Sequence, residues 1–139
     1  VAADVATFGL PESKRGLLAA AGGPVRLAQR VALPIALELV MTGDQMSAQR
    51  AYDLGLVNRI VSADKVVDEA VALAELINEN SPTAVRVGRQ LVRDSAGRPE
   101  AHGMARTVEL VGEVFRSGDA IEGATAFAEK RAPVWNEPT

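Results

Sequence analysis

Only two stretches of this chain read as β-strands, and a sheet that stands alone normally needs three or more. The first is the apolar extended segment Val1–Phe8, and the second is Leu56–Val61, rich in β-branched residues. Glycine and proline cut the rest into pieces of helical length. Pro11 follows the turn signal Gly9-Leu10 and sits at a first helical position. Gly22-Gly23-Pro24 opens a helix to about Arg30, Pro34 opens another to Met41, and Thr42-Gly43 stops it. Ser47 caps a short helix over 48–54 that Gly55 ends. Asp64 starts an amphipathic helix with Val66, Ala70, Leu73 and Ile77 at 4-3-4 spacing. Ser81-Pro82 starts the next, and Pro99 a long one carrying Met104, Val108, Val111 and Phe115 at the same spacing. Asp119 and Glu122 stand three apart, as in a capping box, at the head of the last helix. The expectation is about seven short helices and two strands whose partners lie outside the chain.

Composition narrows what these helices can bury and what chemistry they can carry. With 3 Phe, 1 Tyr and 1 Trp against 24 Ala, the core is built from Ala, Val, Leu and Ile, which favours close helix packing. The absence of Cys excludes disulfides, thiolate metal sites and cysteine nucleophiles, and the single His102 argues against a His-rich metal site or a His-based triad. Chemistry is left to carboxylates, hydroxyls, Lys, Arg and backbone groups. The 15 basic residues against 18 acidic ones are scattered, so no nucleic-acid partner is expected. The uncharged apolar stretch Val31–Leu37 contains Pro34 and falls far below the roughly 20 residues a membrane span takes, so no membrane partner is expected either. The chain opens on Val1 without Met, a basic n-region or an apolar signal core. This suggests a fragment or a processed chain, with a cytoplasmic location.

Few residues stand out as chemical candidates. Glu12 is the one acidic residue between Phe8 and Gly23, set among apolar and glycine residues. A carboxylate held against apolar surface is suited to proton transfer. The same residue in a first helical turn also meets the positive end of the helix dipole, which is the ordinary role of such a Glu. Gly16, Gly22 and Gly23 could present backbone N–H groups to an anion, but no phosphate-binding glycine motif is present and tight packing explains them equally well. Phe127 and Lys130, three apart, would share a helix face and could clasp a nucleotide base and its phosphate, or be a packed Phe beside a solvated Lys. His102 and Lys14-Arg15 read as surface residues, Ser47 and Ser81 as caps, and Arg26 as the partner of an acid.

Taken in order, the segments resemble the C-terminal half of the crotonase (enoyl-CoA hydratase/isomerase) superfamily. The matching residues are Phe8-Gly9-Leu10-Pro11-Glu12, Gly16, Gly22-Gly23, Arg26-Leu27, Ala36-Leu37-Glu38-Leu39 and Thr42-Gly43. They continue through Ser47-Ala48, Ala51, Gly55-Leu56-Val57-Asn58, Asp119, Glu122-Gly123, Ala126-Phe127, Glu129-Lys130-Arg131 and Pro133. The resemblance implies an α/β crotonase-type ββα spiral in the complete protein, with this part mostly α and carrying about two short strands. Residues 1–60 would end the spiral core and bear the catalytic Glu segment, and residues 61–139 would form a helical oligomerisation region.

The same resemblance makes Glu12 a catalytic acid/base acting on a 2-enoyl-CoA thioester. In hydratases of the family it works with a second Glu on a water, while two backbone N–H groups stabilise the thioester enolate; fixed dipoles of that kind usually supply the largest catalytic term. The second Glu, the Gly-rich segment bearing it and the oxyanion hole lie upstream of Val1 in the family. Phe127 and Lys130 match an aromatic and a Lys that reach a neighbouring subunit's CoA adenine end in a trimer or dimer of trimers. No metal or other cofactor is implied, since CoA enters with the substrate. Leu18-Ala19 and Pro24 depart from the family's habit and bear on loop shape. Two other readings stand beside hydration: an isomerase using Glu12 as its single base, and a non-catalytic helical oligomerisation module.

Overall fold

The N-terminal strand and the β-branched strand find each other. In the computed structural model, which describes residues 1–136, β1 (Ala2–Ala3) pairs in parallel with β4 (Ile60–Val61), Ala2 opposite Ile60 and Ala3 opposite Val61. A second pair joins β2 (Thr7–Gly9) antiparallel to β3 (Gln45–Ser47), with Phe8 opposite Met46. The expectation of two strands with outside partners is therefore corrected to four very short ones that pair within the chain. Val1–Phe8 splits because the chain turns at Asp4–Ala6, where the Ala6 N–H donates to the Ala3 carbonyl at 3.0 Å. Only the last two residues of Leu56–Val61 join a ladder, because the Leu56 and Val57 N–H groups both donate to the Ala51 carbonyl, at 2.8 and 3.3 Å.

The helices fall where proline and glycine place them. They are α1 (Gly23–Ala28), α2 (Leu33–Thr42), α3 (Ala48–Asp53), α4 (Val66–Asn78), α5 (Pro82–Ser95), α6 (Glu100–Arg116) and α7 (Asp119–Glu129). Ser47 and Ser81 cap α3 and α5 as expected, each side-chain oxygen accepting a backbone N–H three residues on, at 3.2 and 3.1 Å. The chain divides into two compact units, 1–72 and 73–139, with the division inside α4.

In the first unit Leu39 of α2, Met46 of β3 and Ala51 of α3 form the core, with Leu27, Ile35, Leu54, Leu56 and Val57 packed against it. In the second unit α5 and α6 run antiparallel, since Arg86 pairs with Glu113 and Asp94 with Arg106, both at 2.9 Å. Their stripe Met104, Val108, Val111 and Phe115 is exposed, and the buried residue of α6 is Leu110. The 4-3-4 spacing thus marks an apolar face that none of the described residues covers.

Asp119 and Glu122 form no capping box; Gly118 is the cap residue and both carboxylates are committed elsewhere. Asp119, buried, accepts the Ser81 hydroxyl at 2.5 Å and the Asn136 backbone N–H at 3.1 Å, so its pKa lies below the usual carboxylate range, chiefly through Ser81 and then Asn136. Glu122 accepts from the Arg131 guanidinium at 2.6 and 3.0 Å and from the Val134 N–H at 2.7 Å. Its pKa is lowered to about 2, first by the Arg131 hydrogen bonds. The indole N–H of Trp135 donates to the Glu79 carbonyl at 2.7 Å and the Asn136 amide to the Ser117 carbonyl at 2.9 Å, so the C-terminal strap is tied to the ends of α4 and α6 and the start of α7.

A carboxylate whose folded pKa is depressed stabilises above its unfolded value and loses that contribution as pH falls through the folded one. Melting temperature should therefore drop between about pH 4.5 and 2 as Glu122 protonates. The variant Glu122→Gln should start lower near neutral pH and show a shallower acid decline; parallel curves would refute the role of the Arg131 pair.

Candidate active site around Glu12

Glu12 sits where a strand is forced to turn. β2 ends at Gly9, and Pro11 starts a 3-10 turn, Pro11–Arg15, that places Glu12 in its first turn. Gly16 ends the turn in the left-handed conformation, φ 69°, and the Leu17 N–H donates to the Glu12 carbonyl at 3.0 Å. The backbone of Glu12 is thus fixed from both sides. Its side chain is handled differently: Oε2 is buried and has no hydrogen-bond partner among the described residues. Buried carboxylate oxygens are nearly always satisfied, so one that is not points to a proton-transfer role or a missing ligand.

The turn is held from below by the end of α2. Gly43, at φ 65°, closes that helix, its N–H donating to the Leu39 carbonyl at 3.1 Å. A Cβ there would stand 2.8 Å from Ser13 Oγ and 3.3 Å from Pro11 Cα, so only glycine lets helix and turn approach this closely. Next to it, Lys14 Nζ and Asp44 Oδ1 form an ion pair at 2.5 Å. Gly23 serves in the same way, since a Cβ on it would meet Leu10 Cδ2 at 2.7 Å. Close packing, rather than anion binding, accounts for that glycine. Beside the turn lies an apolar concavity of about 370 Å³, lined by Phe8, Gly9, Leu10, Leu27, Leu39 and Met46 among others.

The other expected site residues belong to the other unit. Glu12 belongs to the first unit, Phe127 and Lys130 to the second. Phe127 is 87% exposed, the most exposed of the large apolar side chains described. Lys130 is not inside α7 but follows it, the one described non-glycine residue at positive φ, 55°, closing the helix with its own N–H. Arg26 donates to the Ala21 carbonyl at 2.9 Å and pairs with no acid among the described residues, a correction to the expected ion pair. His102 is exposed on α6. Sequence reasoning missed Met46 and Asp44 near the site, because Gln45–Ser47 is too short to show strand alternation. Among the described residues no group of three His, Cys, Asp or Glu side chains could hold a metal, and no helix is long and apolar enough to cross a membrane.

A carboxylate with an anchored backbone and one buried, unpartnered oxygen, on a turn next to an apolar concavity, marks a candidate acid/base centre. Comparison with known proteins gives the chain a family. The profile of the enoyl-CoA hydratase/isomerase family matches residues 1–138. Carnitinyl-CoA dehydratase of Escherichia coli K12 is 41% identical over 139 residues, covering 97% of this chain and 53% of its own length. The crystal structure of an enoyl-CoA hydratase from Mycobacterium marinum matches with a TM-score of 0.90 at 44% identity, over 96% of this chain and 53% of that one. An enoyl-CoA hydratase from Bacillus anthracis matches with a TM-score of 0.93 at 32% identity, over 98% and 53%. The chain belongs to the enoyl-CoA hydratase/isomerase family and carries part of its crotonase-type α/β fold. It spans about half the length of the curated relatives it matches.

Gly43→Ala should cost about 1–2 kcal/mol from the left-handed backbone alone, and more from the contact with Ser13 and Pro11. Gly55, at φ 74° with nothing within 4 Å of where a Cβ would stand, is the control for the backbone component. Urea unfolding should therefore show a larger loss for Gly43→Ala than for Gly55→Ala; equal losses would mean that the close approach stores no energy.

Proposed function

We propose that this protein hydrates 2-enoyl-CoA thioesters, with Glu12 as acid/base. The observation that carries this reading is the buried Glu12 Oε2, which has no hydrogen-bond partner among the described residues. The apolar concavity next to the turn suits an acyl group, and the family match fits a thioester substrate. In the proposed reaction Glu12 handles a proton of the water that adds across the 2,3 double bond, and the thioester oxygen becomes an enolate. The second Glu and the backbone donors for that oxygen come from outside these 139 residues, in keeping with the half-length match. Dehydration of a 3-hydroxyacyl-CoA is the same path reversed, so relatives named for dehydration and hydration share one chemistry. CoA arrives as part of the substrate, and no other cofactor is invoked.

Phe127 and Lys130 are the proposed contacts for the CoA adenine end of a neighbouring subunit in a homotrimer or a dimer of trimers. The unusual exposure of Phe127 and the uncovered Met104–Phe115 stripe support this arrangement, since contiguous exposed apolar surface marks interaction sites. A cytoplasmic location fits a CoA-dependent reaction.

Replacing Glu12 by Gln in the complete enzyme should lower crotonyl-CoA hydration by about 10²–10⁴-fold, the usual worth of general acid–base catalysis. Near-normal turnover would sink the assignment, and an unaltered enzyme that moves the double bond without hydrating it, with migration lost in Glu12→Gln, would favour the isomerase reading. Phe127→Ala should raise KM for the thioester about tenfold while kcat changes little, because a stacked or packed base contributes about 1–3 kcal/mol. An unchanged KM would remove Phe127 from the CoA site.

A further inference from the structure

Half of the twelve arginines fall within residues 86–116, and the fold gathers them along the α5–α6 pair. This stretch holds six Arg against four carboxylates, a net +2 in a chain of net −3. Arg106 takes up Asp94 and Glu109, and Arg86 takes up Glu113. Arg89, Arg93 and Arg98 make no ion pair among the described residues. The sequence shows these arginines as scattered because their helical spacing and the turn at 96–99 conceal their common surface.

The uncompensated cations line concave surface. One concavity of about 410 Å³ is walled by Arg86, Arg89, Gln90, Arg93 and Asp94. The next, about 440 Å³, is walled by Arg93, Asp94, Arg98, His102 and Arg106 with Ala96. Arg93 and Asp94 belong to both, so the two form one groove, and Asp94 is already neutralised by Arg106 at 2.9 Å. Each lobe is within the size range of small-molecule sites, roughly 300–1,000 Å³. Guanidinium groups match phosphate oxygens two at a time, which makes clustered, unpaired Arg a phosphate-binding feature. No Phe, Tyr or Trp lines either lobe, so a single-stranded nucleic acid would find no broad stacking platform.

We propose that this groove binds a diphosphate group, free or as a nucleoside ester, through Arg89, Arg93 and Arg98. Arg93 bridges the lobes and contacts both phosphates, and Arg89 and Arg98 each serve one end. The site involves neither Glu12 nor Phe127, so it stands whatever the outcome at those residues.

Titration calorimetry of the complete protein carrying Phe127→Ala, which removes the proposed adenine contact, at low salt with pyrophosphate, ADP and adenosine as probes, tests this. Pyrophosphate and ADP should bind with one-to-one stoichiometry per chain, and adenosine should not bind. Arg93→Gln, which breaks no ion pair, should weaken the calorimetric affinity for pyrophosphate at least tenfold, with an unchanged circular dichroism spectrum. Arg30→Gln, which alters a cation of the first unit bonded only to the Arg26 carbonyl, should leave it unchanged. Saturable binding lost in Arg93→Gln alone supports the site. Absence of saturable pyrophosphate binding, equal weakening by both variants, or binding of adenosine overturns it. Binding of ADP without pyrophosphate also overturns it, because the base would then be the recognised group.

Discussion

The first unit depends on one close approach: the last turn of α2 against the 3-10 turn that carries Glu12. Gly43 permits it, and the Lys14–Asp44 pair closes over it. The same helix supplies Leu39 to the core, so the packing that stabilises the unit also fixes the backbone of Glu12, the proposed acid/base. Positioning the carboxylate therefore needs no device of its own. Its backbone is anchored, and one side-chain oxygen is left without a partner among the described residues. That combination is costly to keep unless the oxygen is used.

The two units solve different problems with similar materials. The first joins four two- or three-residue strands to short helices around Leu39, Met46 and Ala51. The second is helical and relies on polar fastening: paired charges along α5 and α6, and a C-terminal strap held by Asp119, Glu122 and the Glu79 carbonyl. Large apolar side chains face outward on both, among them Met41 and Phe115. Small residues such as Ala48 and Ala51 make the tightest buried contacts, at 0% exposure.

Helices were legible in the sequence because proline and glycine act locally. Pro24, Pro34, Pro82 and Pro99 stand at or beside helix starts, and Gly43 stands after a helix end. Strand partners were not legible, since pairing Ala2 with Ile60 depends on everything folded between them. The capping-box reading of Asp119 and Glu122 failed for a related reason. Two distant donors, Ser81 and Arg131, bind those carboxylates more strongly than a local N–H would. Glu12 could be singled out as a lone acid in a turn, but its unpartnered oxygen is a property of packing alone. The expected pairing of Phe127 and Lys130 on one helix face changed because α7 stops at Glu129.

Lys130 shows what that stop entails. It holds a left-handed backbone conformation, φ 55°, at a helix end where glycine would be free of Cβ strain. Glycine at 130 would relieve that strain, so Lys130→Gly sets the backbone's gain directly against the loss of the ammonium group.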